Sequence, residues 1–243
     1  MRKHPGGKDN YAVDREAAER VLAVVPDQRI LARANRAFLV RAVRLLAESG
    51  IRQFVDLGTG IPTSPGVHEV ACGVDASART VYVDSDPIVT AHNDAMLAAD
   101  ERVAVIQQDI RRPGEILDDP RLRALINFDE PVGVLLVAVL HLIPDEQDPA
   151  GIVARFRGSM APGSHLVLSQ FSADSDPAAM AQLRAVAAGT PVETYFRPRD
   201  EILPFFDGFE LVQPGLVSVE QWRPGADAPA TRLKVTGGVG RKP

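Results

Sequence analysis

The sequence has 243 residues, 45% of them hydrophobic and 24% charged, which is typical of a globular protein and excludes a disordered or fibrous chain. A formal net charge of -5 provides no overall positive field for a polyanion, so we expect no nucleic-acid partner. Cys72 is the single cysteine, which excludes a disulfide framework within one chain and fits a reducing cytoplasm. The longest apolar run, residues 132–143, is too short to cross a bilayer, so we expect no membrane span.

Helical and strand-like patterns follow each other along the chain. Residues 14–25 and 30–47 place apolar side chains at three-and-four spacing, which predicts two amphipathic helices. Asp86 and Pro87 are typical of a helix start, with aspartate as the N-cap and proline at the first helical position. Beyond the first two helices, strands are predicted at 53–57, 80–84, 102–107, 132–138 and 164–171, and helices at 67–71, 87–99 and 148–160.

The order of these elements predicts an α/β fold with a doubly wound, mostly parallel, seven-stranded sheet. Strands that alternate with helices pair in parallel through right-handed crossovers. Near the end of the chain, residues 209–222 and 231–240 form two strand-like runs with a short connection, which predicts a C-terminal antiparallel hairpin. We therefore divide the chain into an N-terminal helical extension, residues 1–50, and one Rossmann-like domain, residues 51–243.

A glycine-containing turn follows the first predicted strand in the sequence FVDLGTG. Ligands of a doubly wound sheet sit beyond the carboxyl ends of the strands, where Asp56, Gly58 and Gly60 lie. The third glycine of a dinucleotide fingerprint is replaced by Thr63, which argues against a pyrophosphate ligand. Taken alone, such a turn is weak evidence of a ligand.

Acidic residues also end the next two predicted strands. Asp84 could accept hydrogen bonds from both hydroxyls of a ribose, and Asp109 could accept one from an adenine amino group. Each has a structural alternative, because Asp84 directly precedes a helix start and Asp109 could cap the segment that follows it. Asp86 already supplies the first of these caps, and Asp84 has no predicted partner in the core. Glycines followed by acids at successive strand ends therefore predict a nucleoside site.

The combination of motifs resembles the class I S-adenosylmethionine-dependent methyltransferases, and more closely an actinomycete-type family of S-adenosyl methyltransferases. The resemblance extends over nearly the whole chain. It implies a Rossmann-like fold, the cofactor S-adenosylmethionine and the product S-adenosylhomocysteine. The segments that carry it are KDNYAVDREAAERVL, ARANRAFLVRAVR, GIRQFVDLGTGIPT, VHEVA, VYVDSDP, VLLVAVLHLIPD, APGSHLVLS and GGVGRKP.

The resemblance also implies which residues bind the cofactor. Residues 55–60 correspond to its glycine motif, Asp84 to the ribose acid and Asp109 to the adenine-side acid. Tyr11 and Arg36 lie in matched motifs of the N-terminal extension, which is therefore expected to form a lid. One departure is the segment IPTSPGVHEV, which delays the helix after the glycine loop. The predicted cofactor-binding residues are Tyr11, Arg36, Asp56, Gly58, Thr59, Gly60, Asp84, Ser85, Asp109, Ile110 and Val139.

The turn after the fourth strand is expected to face the methyl acceptor. His141 is the candidate general base there, although a histidine bonded to the loop backbone is an equally simple interpretation, and His68 is a second candidate. Methyltransferases of nucleic-acid bases carry Asn or Asp followed by Pro-Pro-aromatic in this place, where this chain has Ala138-Val139-Leu140-His141. Carboxylates for a catalytic metal are missing after the fifth strand, so no metal is predicted.

The sequence thus predicts a cytoplasmic methyltransferase that uses S-adenosylmethionine to methylate oxygen or nitrogen of a small molecule. Two alternatives stay open. An NAD-dependent oxidoreductase would use the same sheet, and a non-catalytic regulator would bind the same cofactor. Ligand binding separates the first alternative from the prediction, and formation of S-adenosylhomocysteine separates the second.

Overall fold

The structure is a computed structural model that describes residues 27–61, 63–97, 100–187, 193–224 and 231–243. The predicted helix at 14–25 and the predicted cofactor residue Tyr11 lie outside these ranges. Within them, no helix is both long and apolar enough to cross a membrane.

The strands form one mixed sheet at the centre of the molecule. Its order is β3-β2-β1-β4-β5-β8-β6, with β7 also beside β8. Strands β1 to β5 pair in parallel, and β8 runs antiparallel to β5, as the sequence predicts. The strands are β1 (Gln53–Leu57), β2 (Arg79–Asp84), β3 (Val103–Gln107), β4 (Gly133–Val137), β5 (His165–Phe171), β6 (Glu210–Leu211), β7 (Val217–Ser218) and β8 (Val235–Arg241).

The C-terminal edge of the sheet differs in one detail from the predicted hairpin. Instead of one strand, β6 and β7 occupy successive parts of the same edge of β8. Between them, Pro214 has no backbone N–H to donate and Gly215 has a φ of 90°, so the chain leaves the ladder there. The sheet was predicted to have seven strands. It has eight, because β6 and β7 share the position beside β8.

Helices cover both faces of the sheet. The first face packs against α1, α2 and α7, and the second against α4, α5, α6 and α8. Helix α1 contributes the buried residues Phe38 and Leu46, so it belongs to the core of the domain. The helices are α1 (Asp27–Glu48), α2 (Val67–Cys72), α3 (Pro87–Leu97), α4 (Pro113–Asp118), α5 (Pro120–Leu125), α6 (Pro149–Ser159), α7 (Pro177–Ala187) and α8 (Arg199–Ile202).

Candidate cofactor and acceptor site

The glycine loop after β1 takes a conformation that requires its glycines. Gly58 and Gly60 have φ values of 73° and 65°, in the left-handed region that side chains disfavour. A Cβ on Gly58 would lie only 2.4 Å from Cγ2 of Val139. The loop is tied to β2 because the N–H groups of Gly58 and Thr59 both donate to the Val83 carbonyl. The glycine loop and the turn after β4 are thus in direct contact.

Asp84 holds the other side of this loop. Its Oδ2 accepts a hydrogen bond from Gly60 N–H at 2.8 Å, and its Oδ1 accepts one from Asp86 N–H at 2.9 Å. Asp86 in turn accepts from Ile88 N–H at 2.7 Å and starts α3, as the sequence predicts. No core partner was predicted for Asp84, and the structure shows two backbone donors from loops, which fix its carboxylate. Each carboxylate oxygen has more than one acceptor position, so a bound hydroxyl can still be accepted.

Asp56 is a buried carboxyl at the end of β1 with no hydrogen-bond donor to its side chain among the described residues. Burial raises the pKa of Asp56, the Arg36 guanidinium opposes this rise and the Asp84 carboxylate adds to it, so that the pKa of Asp56 is about 7. Arg36 reaches this place from α1 and donates to the carbonyls of Thr63 and Pro65. Its Nε is buried without a partner in the described structure. Among the described residues, the Asp56 carboxyl and the Arg36 Nε–H therefore both lack a hydrogen-bond partner, and both line the same cavity.

A cavity of about 210 Å³ opens beneath the loop that follows Gly60. Its lining includes residues of β2, α2 and α3 and combines apolar side chains, such as Val67 and Leu97, with polar ones. The polar lining includes Arg36, Asp56, Thr59, Thr63, Tyr82 and Asn93.

The loop from Ile61 onward delays α2, as the sequence indicates. Glu69 caps the helix through its carboxylate, which accepts from Gly66 N–H and from Ser64 Oγ. His68, the second candidate base, is paired instead with Tyr82, whose hydroxyl lies 2.7 Å from Nδ1 and accepts from the His68 N–H at 3.0 Å. The position of His68 therefore favours its structural interpretation.

Asp109 follows β3 at the neighbouring strand end. The adjacent Gln108 N–H donates to the Asp84 carbonyl at 2.9 Å, which places the two acidic residues on adjoining strands. The Asp109 carboxylate accepts from the backbone and the guanidinium of Arg111, and these bonds hold its pKa below the usual range. Ser85 is exposed beside the site, and Ile110 is buried. Asp109 thus fixes the turn before α4 through Arg111, while the N-cap of α4 is Arg112, and lone pairs of the carboxylate are left for a ligand.

The turn after β4 carries His141 in a short 3₁₀ helix, Leu140–Leu142. Ala138 enters this turn with a φ of 57°, and its N–H donates to the Ser169 carbonyl of β5 at 2.8 Å. The His141 side chain is 5% exposed, and its Nδ1 has no partner among the described residues. Burial and the nearby Arg197 cation lower the pKa of His141 to about 4, so the imidazole is neutral at pH 7.

Arg197 is a site residue that sequence reasoning missed. Although it is 3% exposed, its guanidinium donates to the Leu140 carbonyl at 3.1 Å and to the Ile143 carbonyl at 2.7 Å, and it also bonds Asp145. These contacts span more than fifty residues of sequence, and no local pattern around Arg197 signals them. Their effect is to fix the turn that carries His141.

Helix α1 contributes a second unforeseen contact. Asn35 Oδ1 accepts from Ser169 Oγ at 2.6 Å, which ties α1 to the end of β5.

Among the described residues, no group of three or more histidine, cysteine, aspartate or glutamate side chains could hold a metal ion.

Comparisons with known proteins place the chain in a family. A family model described as "S-adenosyl methyltransferase" matches residues 4–243. A proposed methyltransferase from Thermobifida fusca is 39% identical, with 98% of this chain and 91% of that chain covered and a TM-score of 0.91. A DUF574 family protein from Streptomyces avermitilis is 40% identical, with coverages of 98% and 94% and a TM-score of 0.92. Among curated proteins, no match is found.

A more distant likeness shows the fold alone. The N-methyltransferase NodS from Bradyrhizobium japonicum, solved in complex with S-adenosyl-L-homocysteine, is 14% identical, with coverages of 86% and 87% and a TM-score of 0.53. This likeness and the sheet order confirm the predicted fold, and the family match confirms the predicted cofactor. The chain belongs to the S-adenosyl methyltransferase family and is an S-adenosylmethionine-dependent methyltransferase.

Proposed function

We propose that the chain methylates an oxygen or nitrogen atom of a small molecule, and that the residues around the glycine loop hold the cofactor. The proposal of a small-molecule acceptor rests on the contact between Gly58 and Val139. Through this contact the neutral turn Ala138–Leu142 lies beside the glycine loop. Because this turn and the net charge of -5 offer no positive surface, a polyanionic acceptor is disfavoured.

The cofactor fits the unpaired groups of the site. Its methionine end carries an ammonium and a carboxylate. Among the described residues, the Arg36 Nε has no hydrogen-bond partner and no donor bonds the Asp56 carboxyl. We assign the ammonium to Asp56 and the carboxylate to Arg36, beside the cavity of about 210 Å³. A buried unpaired polar group is costly, so these pairings would stabilise both residues.

The nucleoside end is assigned to the acidic strand ends. Asp84 would accept the ribose hydroxyls while Gly60 and Asp86 hold its carboxylate in place. Asp109 would accept from the adenine amino group beside its bonds to Arg111. Thr59, Ser85, Ile110 and Val139 complete this set as contacts.

The protein has little chemistry to supply beyond position. Bound S-adenosylmethionine provides a methyl group that is already electrophilic, so in-line placement of the acceptor accounts for much of the rate. His141 was the predicted base, and its lowered pKa makes it a weak one. We therefore propose that neutral His141 orients the acceptor through a hydrogen bond. We also propose that residues 1–26, with Tyr11, close the site as a lid, and that the protein acts in the cytoplasm.

A labelling experiment tests this function. The purified protein is incubated with methyl-tritiated S-adenosylmethionine and a cell extract separated into small molecules, nucleic acid and protein. We expect label in the small-molecule fraction, and much less of it when Asp84→Ala replaces the wild type at a cofactor concentration below the dissociation constant of the variant. Label in nucleic acid or protein would contradict the proposal. Cofactor binding without label in any fraction would favour the non-catalytic regulator instead.

A further inference from the structure

We propose that the acceptor is an uncharged molecule with a hydroxylated aromatic ring, bound against Phe171, Phe196 and His141 at the ends of β4 and β5. The inference rests on the proposed function, because it takes this edge of the sheet to be the acceptor side. His141 lies two residues after Val139, the residue in contact with Gly58, so this group of side chains adjoins the cofactor loop.

The three rings form a continuous aromatic surface. The rings of His141 and Phe171 meet edge to face, with centroids 4.9 Å apart and an interplanar angle of 83°. Phe171 and Phe196 are 6.2 Å apart at 72°. Both phenylalanines are only partly buried, so part of each ring is not enclosed by the protein. Edge-to-face and offset contacts of this kind favour a further aromatic ring over a saturated one of similar size.

Hydrogen bonds fix this surface in place. Tyr195 N–H donates to the His141 carbonyl at 2.7 Å, and Ala173 N–H donates to the Arg197 carbonyl at 3.0 Å. Arg197 also binds the two carbonyls that flank His141. The segment that carries Phe196 is thus bonded both to the turn of His141 and to the residues after Phe171. A surface held in this way can bind a rigid ring without ordering its own side chains first.

The polar groups around the rings indicate an uncharged ligand with a hydroxyl. The buried Nδ1 of His141 lacks a partner among the described residues, and a ligand hydroxyl would satisfy it once the ring, whose residue is 5% exposed, turns toward the ligand. The Arg197 cation is occupied by carbonyls and Asp145, and Ser169 and Asn35 are neutral and bonded to each other. The exposed carboxylate of Glu193 accepts from Tyr195. An anionic acceptor would therefore find no free cation among these groups.

Binding of two matched alcohols tests the inference. The protein saturated with S-adenosylhomocysteine is titrated with 2-naphthol and with decahydro-2-naphthol, which has the same fused-ring skeleton but is saturated. We expect 2-naphthol to bind at least tenfold more tightly. Phe196→Leu should weaken 2-naphthol by about two- to tenfold, the equivalent of about 0.5–1.5 kcal/mol for one aromatic pair. Leu203→Ala is the control, because Leu203 is 41% exposed and is not one of the proposed ring contacts, and it should leave the affinity for 2-naphthol unchanged.

The outcomes separate this inference from the cofactor assignment. Failure to bind S-adenosylhomocysteine would count against the cofactor site. Cofactor binding without 2-naphthol binding, or equal binding of the two alcohols, would overturn the aromatic acceptor alone. Phe171→Leu provides a second variant in case Phe196→Leu does not fold. Unchanged 2-naphthol affinity in a folded variant of either phenylalanine would also overturn it.

Discussion

The backbone N–H of Gly60 donates to Oδ2 of Asp84 at 2.8 Å, so the glycine loop after β1 and the carboxylate after β2 form one unit. Gly58, on the same loop, packs against Val139 of the turn after β4. Contacts at three strand ends thus connect the groups assigned to the ribose, the methionine end and the acceptor. Substitutions of these residues should therefore change stability or cofactor affinity to an extent that follows from the contacts each residue makes.

Gly58→Ala should destabilise the protein more than Gly60→Ala. Both glycines have positive φ, which costs a residue with a side chain about 1–2 kcal/mol. Only the new Cβ on Gly58 would meet Val139, and such overpacking costs a further ~1–3 kcal/mol, whereas nothing lies within 4 Å of a Cβ on Gly60. Urea unfolding of the two variants measures the difference. Equal losses would show that the loop moves away from Val139 freely.

Asp56→Asn should stabilise the ligand-free protein at pH 8 and weaken cofactor binding. The folded pKa of about 7 lies above the ordinary 3.8, so the folded state holds a proton that the unfolded state releases between these values. Stability of the wild type should therefore fall as pH rises from about 4 to 7. Asp56→Asn has no carboxyl to ionise, so it should not lose this stability. At pH 8 its free energy of unfolding should exceed that of the wild type by roughly 1–4 kcal/mol, at about 1.4 kcal/mol for each pKa unit.

The same carboxyl should make cofactor affinity depend on pH. Because the ionised form would bind the ammonium, affinity of the wild type for S-adenosylhomocysteine should rise between pH 5.5 and 7, and that of Asp56→Asn should stay flat. Calorimetry at several pH values checks this. A flat profile in the wild type would argue against an ammonium at Asp56.

Much of the fold could be predicted from the sequence because its signals are local. Apolar runs of strand length gave β1 to β5 within a residue or two, and Asp86 with Pro87 marked the start of α3. The four helices α4, α5, α7 and α8 were not predicted. The edge beside β8 was predicted as one strand because the run around Pro214 remains apolar, although the proline and Gly215 interrupt its ladder.

The candidate site was predictable where its residues sit at strand ends. Asp56 and Asp84 do so, and the structure brings the Asp84 carboxylate close enough to contribute to the raised pKa of Asp56. The pairing of Asp109 with Arg111 was visible two residues along the chain and could have been found. By contrast, the contacts of Arg197 depend on how distant segments pack, which no local pattern encodes.

Arg197→Met should destabilise the protein by about 2–4 kcal/mol, since it leaves the Leu140 and Ile143 carbonyls without a donor at a buried place. Asp145→Asn is the matched control for the ion pair. The Asp145 side chain is 77% exposed, so its loss should cost less than about 1 kcal/mol. Urea unfolding compares the two. A larger loss for Asp145→Asn would mean that the ion pair, and not the carbonyl bonds, holds the turn.

Removal of residues 1–26 should weaken cofactor binding and leave the domain folded. Helix α1 begins at Asp27 and carries the buried side chains that pack on the sheet, so the core would be kept. Calorimetry with S-adenosylhomocysteine, together with an unfolding curve, measures both effects. A folded truncation with full affinity would show that Tyr11 does not contribute to the site.

Calorimetric binding of S-adenosylhomocysteine to Asp84→Ala tests the assignment of the cofactor site most directly. Loss of charge-assisted bonds to the ribose, worth roughly 1.5–3 kcal/mol, should lower affinity about ten- to a hundredfold. Some stability should also be lost, because Gly60 and Asp86 lose their acceptor. Asp86→Ala is the control: it removes the N-cap bond to Ile88 and should cost about 0.5–2 kcal/mol of stability with affinity nearly intact. Wild-type affinity in a folded Asp84→Ala variant would contradict the ribose assignment.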